Sequence, residues 1–67
     1  MILSPRIGQC VQVWYRPVLR DGMPFHGRVG IVRIRSRGRR HERRNHGIEI
    51  DGQIIAVPCG NLRKATA

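Results

Sequence analysis

Lysine, acids, aromatics and cysteine are all scarce in this chain, and each scarcity closes off a class of function. Of thirteen basic residues only Lys64 is not arginine. Four acids stand among 67 residues: Asp21, Glu42, Glu49 and Asp51. Asp21 and Asp51 each precede a glycine at a turn, and Glu42 lies among arginines, so no pair of carboxylates is left for acid–base work. Ser4 and Ser36 have no nucleophile setting, and no glycine-rich loop opens a helix. An enzyme is not expected. Three aromatics, Trp14, Tyr15 and Phe25, are too few for a multi-base stacking platform. Two cysteines, Cys10 and Cys59, make no disulfide framework. Their apolar, strand-like surroundings mark both as small buried hydrophobes. There is no Cys-x2-Cys or His-x3-His pair, and His41 and His46 lie in a positive field, so neither a metal nor a cofactor is expected. No apolar run approaches the roughly twenty residues of a membrane span. Met1-Ile2-Leu3-Ser4-Pro5 lacks the form of a signal peptide, and the expected location is the cytoplasm.

What is present is positive charge. The formal net charge is +9 at pH 7 and the isoelectric point is near 11.7. Such a balance draws a protein towards nucleic acid, acidic protein faces or anionic lipid, and it opposes self-association, so a monomer or weak dimer is expected. Seven of the arginines fall in twelve residues: Arg33, Arg35, Arg37, Arg39, Arg40, Arg43 and Arg44. Arginine presents a planar fork of five donors that meets phosphate oxygens two at a time.

Helical periodicity is weak, and glycine and proline interrupt the chain every few residues. Alternation with a period of two recurs instead. Val11, Val13 and Tyr15 share one face of a first strand, and Cys10, Gln12 and Trp14 share the other. The stretch 16–26 contains Pro17, Asp21-Gly22 and Pro24 and reads as a long turn-rich loop. A second strand begins near Arg28, with Val32 and Ile34 on one face and Arg33 and Arg35 on the other. Gly27 and Gly30 flank its start and fit a bend, where a side chain would obstruct close backbone contact. Further on, Asp51-Gly52 between two apolar runs is a strong hairpin signal. A two-residue turn sets Ile50 opposite Gln53 and Ile48 opposite Ile55. Pro58 ends that run, and Leu62 starts a brief last strand. Five strands are expected at about 9–15, 28–35, 47–51, 53–57 and 62–64, all within one domain with a core over 7–65 and frayed ends. The chain reads as all-β. Strands so short satisfy their edges by curling into a small barrel.

The element order is similar to that of SH3-like barrels. Phe25-His26-Gly27-Arg28-Val29-Gly30-Ile31-Val32-Arg33-Ile34 resembles the KOW motif of ribosomal proteins and transcription elongation factors, with its two glycines ahead of a valine-rich strand. Gly8-Gln9-Cys10-Val11-Gln12-Val13 resembles the opening strand of those domains, and Val57-Pro58-Cys59-Gly60-Asn61-Leu62-Arg63 resembles their closing turn. The resemblance covers residues 7–65. It implies a five-stranded SH3-like barrel whose KOW positions Gly27, Arg28 and Gly30, with the loop before them, touch RNA, DNA or protein. The loop after the motif, between the second and third strands, is longer and far richer in arginine than the motif requires.

These residues point to a binding protein. In an extended strand Arg33, Arg35 and Arg37 project from one face about 7 Å apart, a spacing comparable to that of successive phosphates. Arg39, Arg40, Arg43 and Arg44 continue the surface, with Arg28 and Arg63 as flanks and His41 and His46 as pH-dependent extensions. Trp14 points outward, either to stack a base or to cover one end of the barrel. Two partners fit the charge. One is nucleic acid, RNA or DNA, held through its phosphates. The other is an acidic protein, which would make the chain a small docking adaptor or inhibitor.

Overall fold

In the computed structural model, residues 2, 4–36 and 45–65 are described. The chain forms five strands, β1 Cys10–Val13, β2 Val29–Ile34, β3 Asn45–Ile50, β4 Gln53–Pro58 and β5 Leu62–Lys64, with short 3-10 turns at Pro17–Gly22 and Cys59–Asn61. All neighbouring strands are antiparallel, in one sheet of order β4-β3-β2-β1-β5. The expected all-β, five-stranded architecture is present. The arginine-rich connection between β2 and β3 lies, over 37–44, outside the described residues. No helix among the described residues is long and apolar enough to cross a membrane.

Alternation builds the core. Val11 and Val13 from β1, Val32 from β2, Ile48 and Ile50 from β3, Val57 from β4 and Leu62 from β5 are exposed by 2% or less. Each contributes about 1.5–3 kcal/mol by leaving water. One sheet supplies all seven, so it must curl round its own inner face to seal them, giving a barrel-like shape. Ile2, Tyr15, Phe25 and Ile55 pack against the cluster, and Pro5 is fully buried, so the core reaches back to the chain start. The outermost strands, β4 and β5, do not pair with each other.

Two local features hold the curl. Asp51 (φ 51°) and Gly52 (φ 79°) supply the two left-handed positions of a tight hairpin turn, and β3 and β4 pair Ile50 with Gln53 and Ile48 with Ile55, as the dipeptide demanded. At Gly30, a Cβ would stand 2.6 Å from the Glu49 carbonyl oxygen and 2.7 Å from Ile48 Cγ2. Only a residue without one lets β2 close on β3 there.

Three expectations are corrected. Ile34 does not share the inner face with Val32. The β2–β3 register runs Val32 opposite Ile48 and then Ile34 opposite Gly47, so one extra residue, Arg33, is inserted as a bulge. Ile34 is 55% exposed and lies over Gly47 on the outer face. His46 is not a surface group. β3 begins at Asn45 rather than Gly47, and alternation then places His46 on the core side with Ile48 and Ile50, where it is 1% exposed. Cys10 is exposed, since it alternates with buried Val11 and so lies on the outer face of β1, and Cys59 is only half-buried.

Candidate functional site

Sheet register sorts the basic residues into two groups. Arg33 projects from β2 beside Glu49 of β3, and its Nε donates to Glu49 Oε2 at 2.8 Å. Arg28, just ahead of β2, donates through Nη2 to Asp51 Oδ2 in the β3–β4 turn. Both pairs are substantially exposed, which limits each to about 0.2–1 kcal/mol. Their larger consequence is allocation: two of the four acids in the chain are occupied by arginines of the sheet. The bulge also breaks the alternation expected to set Arg33 and Arg35 on one face, and Arg37 lies outside the described residues.

Arg35 is exposed just beyond the end of β2. Arg37, Arg39, Arg40, Arg43 and Arg44, with His41, lie outside the described residues, and β3 resumes at Asn45. Arg28 and Arg63, the expected flanks, come together. Arg63 pairs with Gln12, Gln12 pairs with Val29, and Arg28 adjoins Val29, so both arginines lie at the start of β2. The arginine-rich segment leaves from its other end, about 17 Å away at roughly 3.3 Å per residue.

That opposite end carries a second basic group, centred on Trp14. Trp14 is half-buried and follows β1, where its N–H donates to the Asn61 carbonyl (2.9 Å) and its own carbonyl accepts from Asn61 Nδ2 (3.2 Å). Arg63 Cζ lies 3.4 Å from the centre of its ring, Arg20 Cζ lies 4.8 Å from it, and the His26 ring is 4.5 Å away at a 49° tilt. Each guanidinium is tethered through Nε: Arg63 donates to Gln12 Oε1 (2.6 Å), and Arg20 donates to the Tyr15 carbonyl (3.0 Å). Gln12 is fixed in turn by donating to the Gly27 carbonyl at 3.0 Å. The Tyr15 N–H donates to His26 Nδ1 at 3.0 Å, which leaves the ring proton of neutral His26 on Nε2. Partial burial, then the positive field of Arg20 and Arg63, hold the His26 imidazole below its ordinary value of 6.5.

Trp14 is half-buried and lies just past β1 rather than within it. Arg63 lies over its ring at stacking distance, so a base reaches that face only by displacing the guanidinium. Arg20 and His26 are the site residues that sequence reading missed. They come from the turn-rich stretch 16–26, whose fold is set by contacts to β1 and has no period to read. His46, by contrast, is removed from any surface role: its Nδ1 accepts from the Ser36 N–H at 3.1 Å inside the protein.

Comparison with protein-family models, curated proteins and solved structures finds no match.

Proposed function

We propose that this protein binds nucleic acid without catalysis, gripping phosphates through the arginine-rich segment that joins β2 to β3. The observation that carries this reading is the allocation of acids. Glu49 and Asp51 are paired with Arg33 and Arg28. Asp21 belongs to the Pro17–Gly22 turn, on the side of the sheet where β1 ends. Arg35, Arg37, Arg39, Arg40, Arg43 and Arg44 therefore share a short stretch of chain with Glu42 alone. Six guanidinium groups against one carboxylate suit a partner dense in anionic oxygens, and their forks match phosphate geometry. Recognition through phosphates is indifferent to sequence, and the shortage of aromatics agrees with that.

The test is binding of a labelled RNA or DNA duplex at low salt, by fluorescence anisotropy, for the natural chain and for a variant with Arg37, Arg39, Arg40, Arg43 and Arg44 changed to serine. Binding of unrelated sequences with similar affinity, lost in the variant, is expected. Absence of duplex binding together with one stoichiometric acidic protein retained from a cell extract would replace this reading with a docking role.

A further inference from the structure

The group around Trp14 is too ordered to be a chance meeting of surface cations. Two guanidiniums and an imidazole surround one ring, and neither ion pair among the described residues, Arg28–Asp51 or Arg33–Glu49, takes up any of the three. We infer that Arg20, Arg63 and His26 form, around Trp14, a binding site for a single phosphate group, separate from the arginine-rich segment.

Three observations converge on it. The first is preorganisation. Arg63 is held by its stack on Trp14 and by Gln12 Oε1, and Arg20 is held by the Tyr15 carbonyl. In both cases the tether uses Nε and leaves the terminal nitrogens uncommitted among the described residues. Side chains ordered beforehand lose little entropy on binding. The second is geometry. The two Cζ atoms lie 3.4 and 4.8 Å from the same ring centre, so they are at most about 8 Å apart, a span that two forks sharing one tetrahedral anion can cover. A planar carboxylate is satisfied by one fork, whereas a phosphate has oxygens for both and for the Nε2 proton of His26. The third is electrostatic. The charged groups acting on His26 are Arg20 from the Pro17–Gly22 turn and Arg63 from β5, with the Tyr15 N–H facing Nδ1 from the chain after β1. All three disfavour a proton on the ring. A bound dianion reverses that field and stabilises imidazolium.

The site goes beyond the segment proposed above, since its residues lie at the start of β2, the other end of the strand from which the segment leaves. The phosphate has two sources with the same chemistry: a phosphomonoester, as on a small metabolite or a strand terminus, or an internal phosphodiester of a nucleic acid.

The experiment titrates the whole protein with inorganic phosphate and, separately, with dimethyl phosphate, against sodium chloride of matched ionic strength. Trp14 is the only tryptophan, so its emission reports the site directly. The His26 ring-proton shift, followed by NMR, gives a second readout. A saturable change that chloride does not produce is expected, with His26 titrating at higher pH in the saturated protein. R63Q and R20Q, each checked for retained fold by circular dichroism, should weaken the response about ten-fold, the cost of one charge-assisted fork. R6Q, at an exposed arginine outside the site, should match the natural chain. Saturation by inorganic phosphate alone assigns a monoester, and saturation by both probes assigns the backbone diester. A response equal to that of chloride, or one unchanged in R63Q and R20Q, overturns the site. The five-serine variant should keep the full response to both probes, so failure here and failure of the segment to bind duplex are told apart.

Discussion

Arg33 and Glu49 face each other across the β2–β3 pair, guanidinium Nε to carboxylate oxygen at 2.8 Å, one step before β2 gives way to the arginine-rich connection. Alternation after the buried Val32 puts Arg33 on the outer face with Glu49, and the register slips at that point. Arg33 is thereby matched within its own sheet. Removing the match should release it. In E49Q, unfolding stability should change by no more than about 1 kcal/mol, measured by urea denaturation. Duplex affinity at low salt should rise, and the slope of log affinity against log salt should steepen by about 1. An unchanged slope would mean that Arg33 stays turned away from the ligand even when unpaired.

Gly30 should be intolerant of a methyl group. A Cβ there meets the Glu49 carbonyl at 2.6 Å, and that atom is backbone, which cannot move without prying β2 from β3. G30A should lose about 1–3 kcal/mol, the usual cost of overpacking. Gly60, whose Cβ would meet nothing within 4 Å, is the control. G60A should stay within about 0.5 kcal/mol of the natural chain. Equal effects at the two positions would contradict the close strand approach.

His26 should make stability depend on pH. Its folded pKa lies below 6.5, its ordinary value, so the unfolded chain binds more protons as the solution is acidified. The linked stability is complete above the unfolded pKa and is lost as pH falls through the folded one. Comparing urea unfolding at pH 7.5 and pH 5, the natural chain should lose more stability than H26N, whose amide oxygen can still accept from the Tyr15 N–H. His46 is common to both proteins and cancels. Equal losses would show that the imidazole titrates as it does in water.

The parts of the fold legible in the sequence are those fixed by neighbours along the chain. Val11, Val13 and Tyr15 announced their shared face by alternation, and Asp51-Gly52 announced both the turn and the pairing of Ile48 with Ile55. What escaped was decided by partners distant in the chain. Pairing of Asn45 and His46 with Pro58 and Val57 extends β3 by two residues, and that turns His46 inward. A polar, basic run gave no hint of it. Ile34 carries an apolar side chain in good alternation with Val32, yet a bulge set by β3 turns it out. Charge could be counted from the sequence but not its sharing. That Arg33 and Arg28 are matched, and that Arg63 and Arg20 gather at Trp14, follows only from strand order and the path of the 16–26 loop.

The decisive measurement is the salt dependence of duplex binding by the natural chain and by the five-serine variant. Six arginines with no strand acid to neutralise them, Arg35 through Arg44, should give log affinity falling against log salt with a slope of about −5 on duplex DNA. With Arg35 the only arginine of that segment left, the slope should flatten by about 4 and binding near physiological salt should weaken sharply. A steep slope that survives the five substitutions, or a natural chain whose affinity ignores salt, would contradict the claim that this segment holds the phosphates.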